Sequence, residues 1–428
     1  GITGSTANAV ASLVSGAGDW QTNGTLQQWS PLQSKLEDFS NFSEWTLSNT
    51  TATSVVLNAT AGANYPYRGG LRFQSQGAAA ESPAASKQLA VNGTSDGIDL
   101  TAIPGFWLVA DVLDPADGGK SVNINLAFFE GTGGFGAGFQ LSAIAPSLSC
   151  GVQARWIPRS VLASVSGGVM TNRMKSLRIR HDSGNSLVRD VVLAGMFTQG
   201  QRPCVMFSFD DGWDTSYSIG FNEAQRRGIP LTHFLIPDIL GAANFITAAQ
   251  AAEMRAAGDY LGLHGETRWD TDVSRLVADI AKAKAAGIDV QHASIVEGRY
   301  GNTTQRAAMR AAFVAGGVKT ARLSGTQGTP YFAVMLHGVG DPYALLSYGP
   351  NNTDASALAN AKLAIDYAIQ AGGTVCFYLH RIDATSDSLY WNQGAALNLN
   401  FLPSQDVAAL LDAPQTGKQT PRALLARH

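Results

Sequence analysis

Apolar and polar positions change rhythm once along the chain, near residue 200. From about Phe42 to Phe197, short runs alternate with period two between Gly, Pro, Asn and Asp, as in Phe106-Trp-Leu-Val-Ala-Asp-Val, Val122-Asn-Ile-Asn-Leu-Ala-Phe-Phe and Ser176-Leu-Arg-Ile-Arg. Such alternation with frequent turn signals predicts an antiparallel β-sandwich. After Gln199-Gly-Gln-Arg-Pro203 the pattern becomes strand, helix, strand. Apolar runs at 204–209, 231–236, 259–263, 290–296, 318–323, 331–336 and 374–379 alternate with Ala-rich stretches at 216–228, 247–258, 271–287, 303–316 and 355–371. Gly228, Gly258, Gly287, Gly316 and Gly372 are the expected helix stops. Repeated βα units imply a parallel sheet. Some seven strands favour closure into a barrel slightly short of eight.

The expected organisation is therefore multidomain, β followed by α/β. A lead-in segment occupies 1–40, a sandwich 41–200 and a (β/α)7-like barrel 201–428. The sandwich contains no clustered His, Asp or Glu, so it is expected to be structural or carbohydrate-binding. Tyr65 and Tyr67 are its candidates for stacking on sugar rings, although core packing accounts for most aromatics there.

Composition narrows the function classes. Of 428 residues, 45% are hydrophobic, enough for real cores, and only 15% are charged. With 46 glycines this describes a turn-rich, extracellular type of protein. The net charge of −3 without a basic run gives nucleic-acid binding no electrostatic support. No apolar stretch approaches the ~20 residues of a membrane-spanning helix. Cys150, Cys204 and Cys376 sit in apolar surroundings and read as buried thiols, not a disulfide framework. The chain opens on Gly1-Ile2-Thr3-Gly4 and reads as a fragment or processed product.

Chemistry gathers at strand ends. Val205-Met-Phe-Ser-Phe-Asp-Asp-Gly-Trp213 ends in paired acids, and Leu263-His264 and Phe377-Tyr-Leu-His380 end in imidazoles. Parallel α/β enzymes build their sites at such ends. Adjacent carboxylates there are costly unless a metal or cations compensate them, although a solvated Asp-Asp-Gly turn is the plain structural alternative. His233 inside a strand is expected to be a core residue, His181 a surface one, and His292 and His337 lie near strand ends. Trp213, Trp269, Tyr300, Tyr343 and Trp391 are candidates for a sugar subsite, with core or loop packing an equal explanation for each.

Taken in order, Phe207-Ser-Phe-Asp-Asp-Gly-Trp213, Leu263-His264-Gly-Glu-Thr-Arg268, Glu297-Gly-Arg-Tyr-Gly301, Val318-Lys-Thr-Ala-Arg322 and Phe377-Tyr-Leu-His380 resemble the motifs of polysaccharide deacetylases (the NodB-homology domain, carbohydrate esterase family four). The resemblance covers about 203–428. It implies that Asp211 and His264 hold a divalent metal, zinc in most of the family, whose bound water becomes the nucleophile. It implies Asp210 as general base and His380 as general acid. The metal and a backbone N–H near Tyr300 would stabilise the oxyanion. Trp213, Arg268, Arg299, Tyr300 and Trp391 are the residues expected to bind substrate, an acetylated polysaccharide.

One departure stands out. The family's second metal-binding histidine is here Arg268, which has no lone pair to donate. Asp270, ahead of Glu266, is the expected third ligand, and Arg268 is left to bind an anionic sugar or pair with an acid. The third motif's arginine is displaced as well, with Glu297 near its place and Arg299 close by. These changes suggest a divergent subgroup, such as secreted bacterial or phage tail-spike enzymes, which would place the protein outside the cell or on a virion surface, as a homotrimer in the tail-spike case. The competing expectations are a degenerate deacetylase fold that binds glycan without turnover, and a hydrolase of another amide or ester.

Overall fold

The computed structural model describes residues 35–37, 39, 44–48, 71–76, 84–89, 97–112, 123–141, 151–182, 188–198, 203–324, 333–336, 341–350, 356–383, 402–403 and 411. Tyr65, Tyr67, Cys150, His337 and Trp391 lie outside the described residues. The chain divides into two compact units between Gln201 and Arg202.

The N-terminal unit is built of strands β1 (Lys35–Glu37), β2 (Thr46–Ser48), β3 (Leu71–Gln76), β4 (Ala84–Gln88), β5 (Gly105–Val112), β6 (Asn123–Phe129), β7 (Gly138–Gln140), β8 (Gly151–Pro158), β9 (Ala163–Val165), β10 (Ser176–Asp182) and β11 (Val188–Phe197). One sheet runs β1-β11-β5-β8, with β3 also on β11, and the other runs β2-β4-β10-β6-β7-β9. Every pairing within them is antiparallel. Alternate residues explain the packing. Phe106, Leu108 and Ala110 of β5, Ile124, Leu126 and Phe128 of β6, and Leu177 and Ile179 of β10 all enter one apolar cluster. Each large side chain so buried contributes roughly 1.5–3 kcal/mol.

The second unit alternates strands and helices. Its strands are β12 (Cys204–Phe209), β13 (Thr232–Leu235), β14 (Tyr260–Leu263), β15 (His292–Ser294), β16 (Thr320–Arg322), β17 (Val334–Met335) and β18 (Thr374–Leu379). A π-helical turn at Ser216–Phe221 leads into α1 (Asn222–Arg226), followed by α2 (Ala248–Ala257), α3 (Val273–Ala285), α4 (Thr303–Gly316) and α5 (Ala357–Ala371). Local chemistry fixes these helix ends. Thr247 with Gln250, and Asn302 with Gln305, form reciprocal capping boxes, and the Asp272 carboxylate caps α3. Gly258 and Gly372 end α2 and α5 in the left-handed conformation. Gly316, expected as a stop, is the last residue of α4, and the adjacent Gly317 makes the left-handed cap.

The sheet order is β16-β15-β14-β13-β12-β18-β17. All neighbours are parallel except β17, which runs antiparallel to β18 and so departs from the all-parallel expectation. The sheet must curl. β16 lies four strands from β12, about 19 Å in a flat sheet, yet the Arg322 side chain reaches Asp210. The segment 345–348, which sequence reading left between strands, links the two sides. Leu345 N–H donates to Ala321 O (3.0 Å), and Leu323 N–H donates to Leu345 O (2.8 Å). Tyr348 N–H donates to Cys376 O (2.8 Å), and Tyr378 N–H donates to Tyr348 O (3.0 Å). Backbone pairing thus runs in a ring through β12–β16, this segment and β18.

Candidate active site

Parallel register brings the chemical residues to one level. Phe209 pairs with Leu379, so Asp210 and His380 leave neighbouring strands side by side. Leu263 pairs with Ala293, and Ser294 with Arg322, so His264, Ser294 and Arg322 follow around the curl.

Two carboxylates adjacent in sequence are turned to different partners here. Asp211 adopts φ +67° and Gly212 φ +83°, a tight left-handed turn at the end of β12. Asp is among the few non-glycine residues that enter this region routinely. Asp210, 3% exposed, points into the unit. Its Oδ1 accepts from Arg322 Nη2, and its Oδ2 accepts from Ser294 Oγ at 3.2 Å. The same Arg322 nitrogen donates to Ser294 Oγ at 2.8 Å. Arg322 is 2% exposed, and its guanidinium lies over Tyr378 (5.0 Å) and Phe234 (5.3 Å). A buried charge so enclosed requires an anion, and Asp210 is that anion.

Asp211 faces the other way. Its Oδ1 lies 3.3 Å from His264 Nε2, and its Oδ2 accepts the Trp213 indole N–H at 3.1 Å. His264 Nδ1 lies 2.8 Å from the Ser294 carbonyl oxygen, which can only accept, so Nδ1 carries hydrogen. Burial alone would raise the Asp211 carboxyl. The hydrogen bond with His264, the charges of His380 and His264, and the Trp213 N–H outweigh it and bring it to about 2. Burial alone would lower the His264 imidazole, but the Asp211 hydrogen bond, the charges of Asp210 and Asp211, and the Ser294 carbonyl raise it.

The donor set can be tested against a divalent metal. With Nδ1 protonated, a neutral His264 would turn the Nε2 lone pair toward a carboxylate oxygen, two acceptors face to face. Only a proton or a cation between them makes that contact favourable. An imidazole oriented by a backbone carbonyl at its far nitrogen is also the usual arrangement of a metal-binding histidine. Asp211 and His264 therefore fit as two ligands. Asp270, the expected third, does not join them. It is buried, but Arg268 takes both its oxygens, Nε at 3.0 Å and Nη2 at 2.6 Å. Glu266 is drawn toward Arg275 at 3.9 Å. Among the described residues no three His, Cys, Asp or Glu side chains gather closely enough to hold a metal.

The remaining candidates separate. The His380 Nδ1 is buried and has no hydrogen-bond partner among the described residues. The Trp213 ring stacks on Phe245 at 4.6 Å beneath Arg381, whose guanidinium is 5.9 Å from its centroid. Tyr300, expected to face substrate, instead packs in the apolar cluster with Trp269, Phe313 and Tyr343, and burial pushes its phenol well above the ordinary range. Arg299 is exposed. Trp269 is fully buried and donates to Asp279 at 2.9 Å. Tyr343 donates to the Val318 carbonyl. His233 is buried against Asp259 at 3.1 Å, and His292 against Thr320 at 2.6 Å. Cys204 and Cys376 are both buried.

Arg322 and Ser294 were not picked out by sequence as site residues. Each lies within its apolar run, Ser294 before Ile295-Val296 and Arg322 before Leu323, so neither carries the strand-end signal that marks Asp210 and His380.

Over 98 residues the chain is 30% identical to YxkH of Bacillus subtilis (strain 168), provisionally named a polysaccharide deacetylase; the match covers 20% of this chain and 35% of that protein. The chain thus spans about a third of the curated relative it matches. Among solved structures, a family 4 carbohydrate esterase from Streptomyces lividans in complex with acetate aligns at 16% identity and TM-score 0.27, covering 52% of this chain and 96% of that one. IcaB from Ammonifex degensii aligns at 17% and TM-score 0.28, covering 38% and 72%. No protein-family model matches the chain.

Proposed function

We propose that the second unit is a metal-dependent deacetylase that removes acetyl groups from a polysaccharide. The observation that carries this reading is the divergence of Asp210 and Asp211. One carboxylate is held by Arg322 and Ser294, while the other meets an imidazole whose far nitrogen is already satisfied. Such separation lets neighbouring acids take different roles. A divalent metal, zinc in the family resembled, would supply Lewis acidity and a more acidic water at Asp211 and His264. Asp210 would act as the general base that accepts the proton of an attacking water, a role its contact with Arg322 supports by fixing its orientation. His380, just past the end of β18, would be the donor to the leaving amine or alkoxide. Arg268, bound to Asp270, contributes a fixed local charge at the loop after β14. The N-terminal unit reads as a β-sandwich accessory to the same glycan, and an exposed or secreted setting suits such a substrate.

The alternative is a glycan-binding protein without turnover. One experiment separates the two. The full chain, stripped and reloaded with zinc, is assayed for acetate release from N- and O-acetylated glycans. Asp210→Asn should lose on the order of 100-fold or more in turnover yet keep its metal. Wild-type rates in Asp210→Asn would remove it as the base. Absence of both metal binding and acetate release in the parent would leave the binding protein.

A further inference from the structure

We infer that Trp213 is a positioning residue for Asp211, fixing which carboxylate oxygen faces His264, and is not a sugar-stacking platform. The inference rests on the reading that Asp211 and His264 hold a divalent cation.

A carboxylate on a short side chain can rotate, and each oxygen can bind a cation. Asp211 is denied that freedom. Its Oδ2 accepts the Trp213 Nε1–H at 3.1 Å, which leaves Oδ1 toward His264 Nε2 at 3.3 Å. An indole N–H donates only and cannot itself ligate, so it reserves one oxygen without competing for the cation. Consecutive positive φ values at Asp211 and Gly212 fold the chain back so that the indole two residues on can reach its neighbour's carboxylate.

The indole is itself immobilised. Its ring stacks on Phe245 at 4.6 Å with an interplanar angle of 28°, and Arg381 lies over it at 5.9 Å. The backbone holds the same register, since Trp213 and Phe245 form an antiparallel bridge. On either side, Asp214 N–H donates to Asn244 O at 2.9 Å and Ile246 N–H donates to Gly212 O at 2.9 Å. A ring clamped this way has given a face to Phe245 and its N–H to Asp211. Both assets of a sugar-binding tryptophan are thereby engaged.

The test measures metal affinity, not turnover alone. The full chain is freed of metal and titrated with cobalt(II) by calorimetry, in parallel with Trp213→Phe and Asp211→Asn. Wild type should bind one equivalent and Asp211→Asn should lose it. Trp213→Phe should bind about 10–100-fold more weakly, the usual effect of losing a partner of a metal ligand. Saturating metal should return much of the Trp213→Phe turnover. If Trp213→Phe does not fold, the indole N–H resonances of wild type are followed instead. One of them should be displaced strongly by cobalt(II) and fail to move in Asp211→Asn. Wild-type metal affinity in folded Trp213→Phe, or indole resonances indifferent to cobalt, would overturn the inference alone. A parent that binds no metal, or an Asp211→Asn variant that binds it normally, would overturn the metal reading as well.

Discussion

Replacing Arg322 by methionine removes a buried charge while keeping most of the side-chain volume between Phe234 and Tyr378. Arg322 and Asp210 are 2% and 3% exposed, so solvent compensates neither when the other is lost. Breaking a buried pair from one side costs about 3–5 kcal/mol. Loss of the guanidinium over two aromatic rings adds to this, about 0.5–2 kcal/mol. For a unit of this size each kcal/mol lowers the midpoint by roughly 2–4 °C, so the pair alone corresponds to about 6–20 °C. Calorimetry of the full chain reads this in the transition of the second unit. Asp210→Asn breaks the pair from the other side. The double variant removes both charges and should lose less than the sum of the singles by roughly 1–3 kcal/mol. A loss under about 1 kcal/mol in Arg322→Met, or strict additivity in the double variant, would refute the view that the two charges hold each other in the interior.

Acid and base limbs of metal-free stability should both trace to Asp211 and His264. With its folded value near 2 against an ordinary 3.8, Asp211 contributes stability that is present above pH 3.8 and is lost as pH falls toward 2. His264, raised above 6.5, contributes stability that is full below that pH and is lost as pH rises through its folded value. Denaturation between pH 2 and 8 should flatten at both ends in Asp211→Asn; an unchanged profile would contradict the pairing. Asp279→Ala leaves the buried Trp269 N–H without its acceptor and should cost about 1–3 kcal/mol by urea unfolding, and a neutral outcome would mean the indole finds another partner. Gly301→Ala combines φ +77° with a new methyl 2.6 Å from Gln305 Cβ and 3.1 Å from Asp270 Cβ. It should destabilise by about 1–3 kcal/mol, and unaltered stability would show that the loop shifts freely.

Elements long enough to show a period were legible in the sequence. The runs at 204–209 and 374–379 coincide with β12 and β18, and the four helical stretches from 247 onward agree with α2–α5 to within two residues at each end. Amphipathic spacing and terminal glycines set those limits locally. Pairings that depend on the curl of the sheet were not legible. Asp210 and Arg322 are 112 residues apart, and only the curl makes them neighbours. The third motif drew attention to Arg299, which is exposed, because the sequence displays an arginine near the familiar place and cannot show which guanidinium turns inward. Arg268 beside Asp270 reads as a missing ligand in one dimension; in three, the arginine also occupies the carboxylate expected to replace it. The segment around Leu345 and Tyr348 is too short for a periodic signature, and it pairs only because two distant strands leave a gap of its width.

That segment bears on how solvent reaches the interior. β12 and β18 are stitched by six successive residue pairs, whereas Leu345 and Tyr348 each make a single bridge, one to either side. Between them Ser347 Oγ accepts from Arg322 Nη1 at 3.3 Å and donates to the Leu323 carbonyl at 2.5 Å. Opening of this seam would uncover the guanidinium that neutralises Asp210 without unravelling β12 or β18. Amide exchange at Leu345 and Tyr348 is therefore expected to proceed by local opening, at a lower free energy than exchange in the central strands.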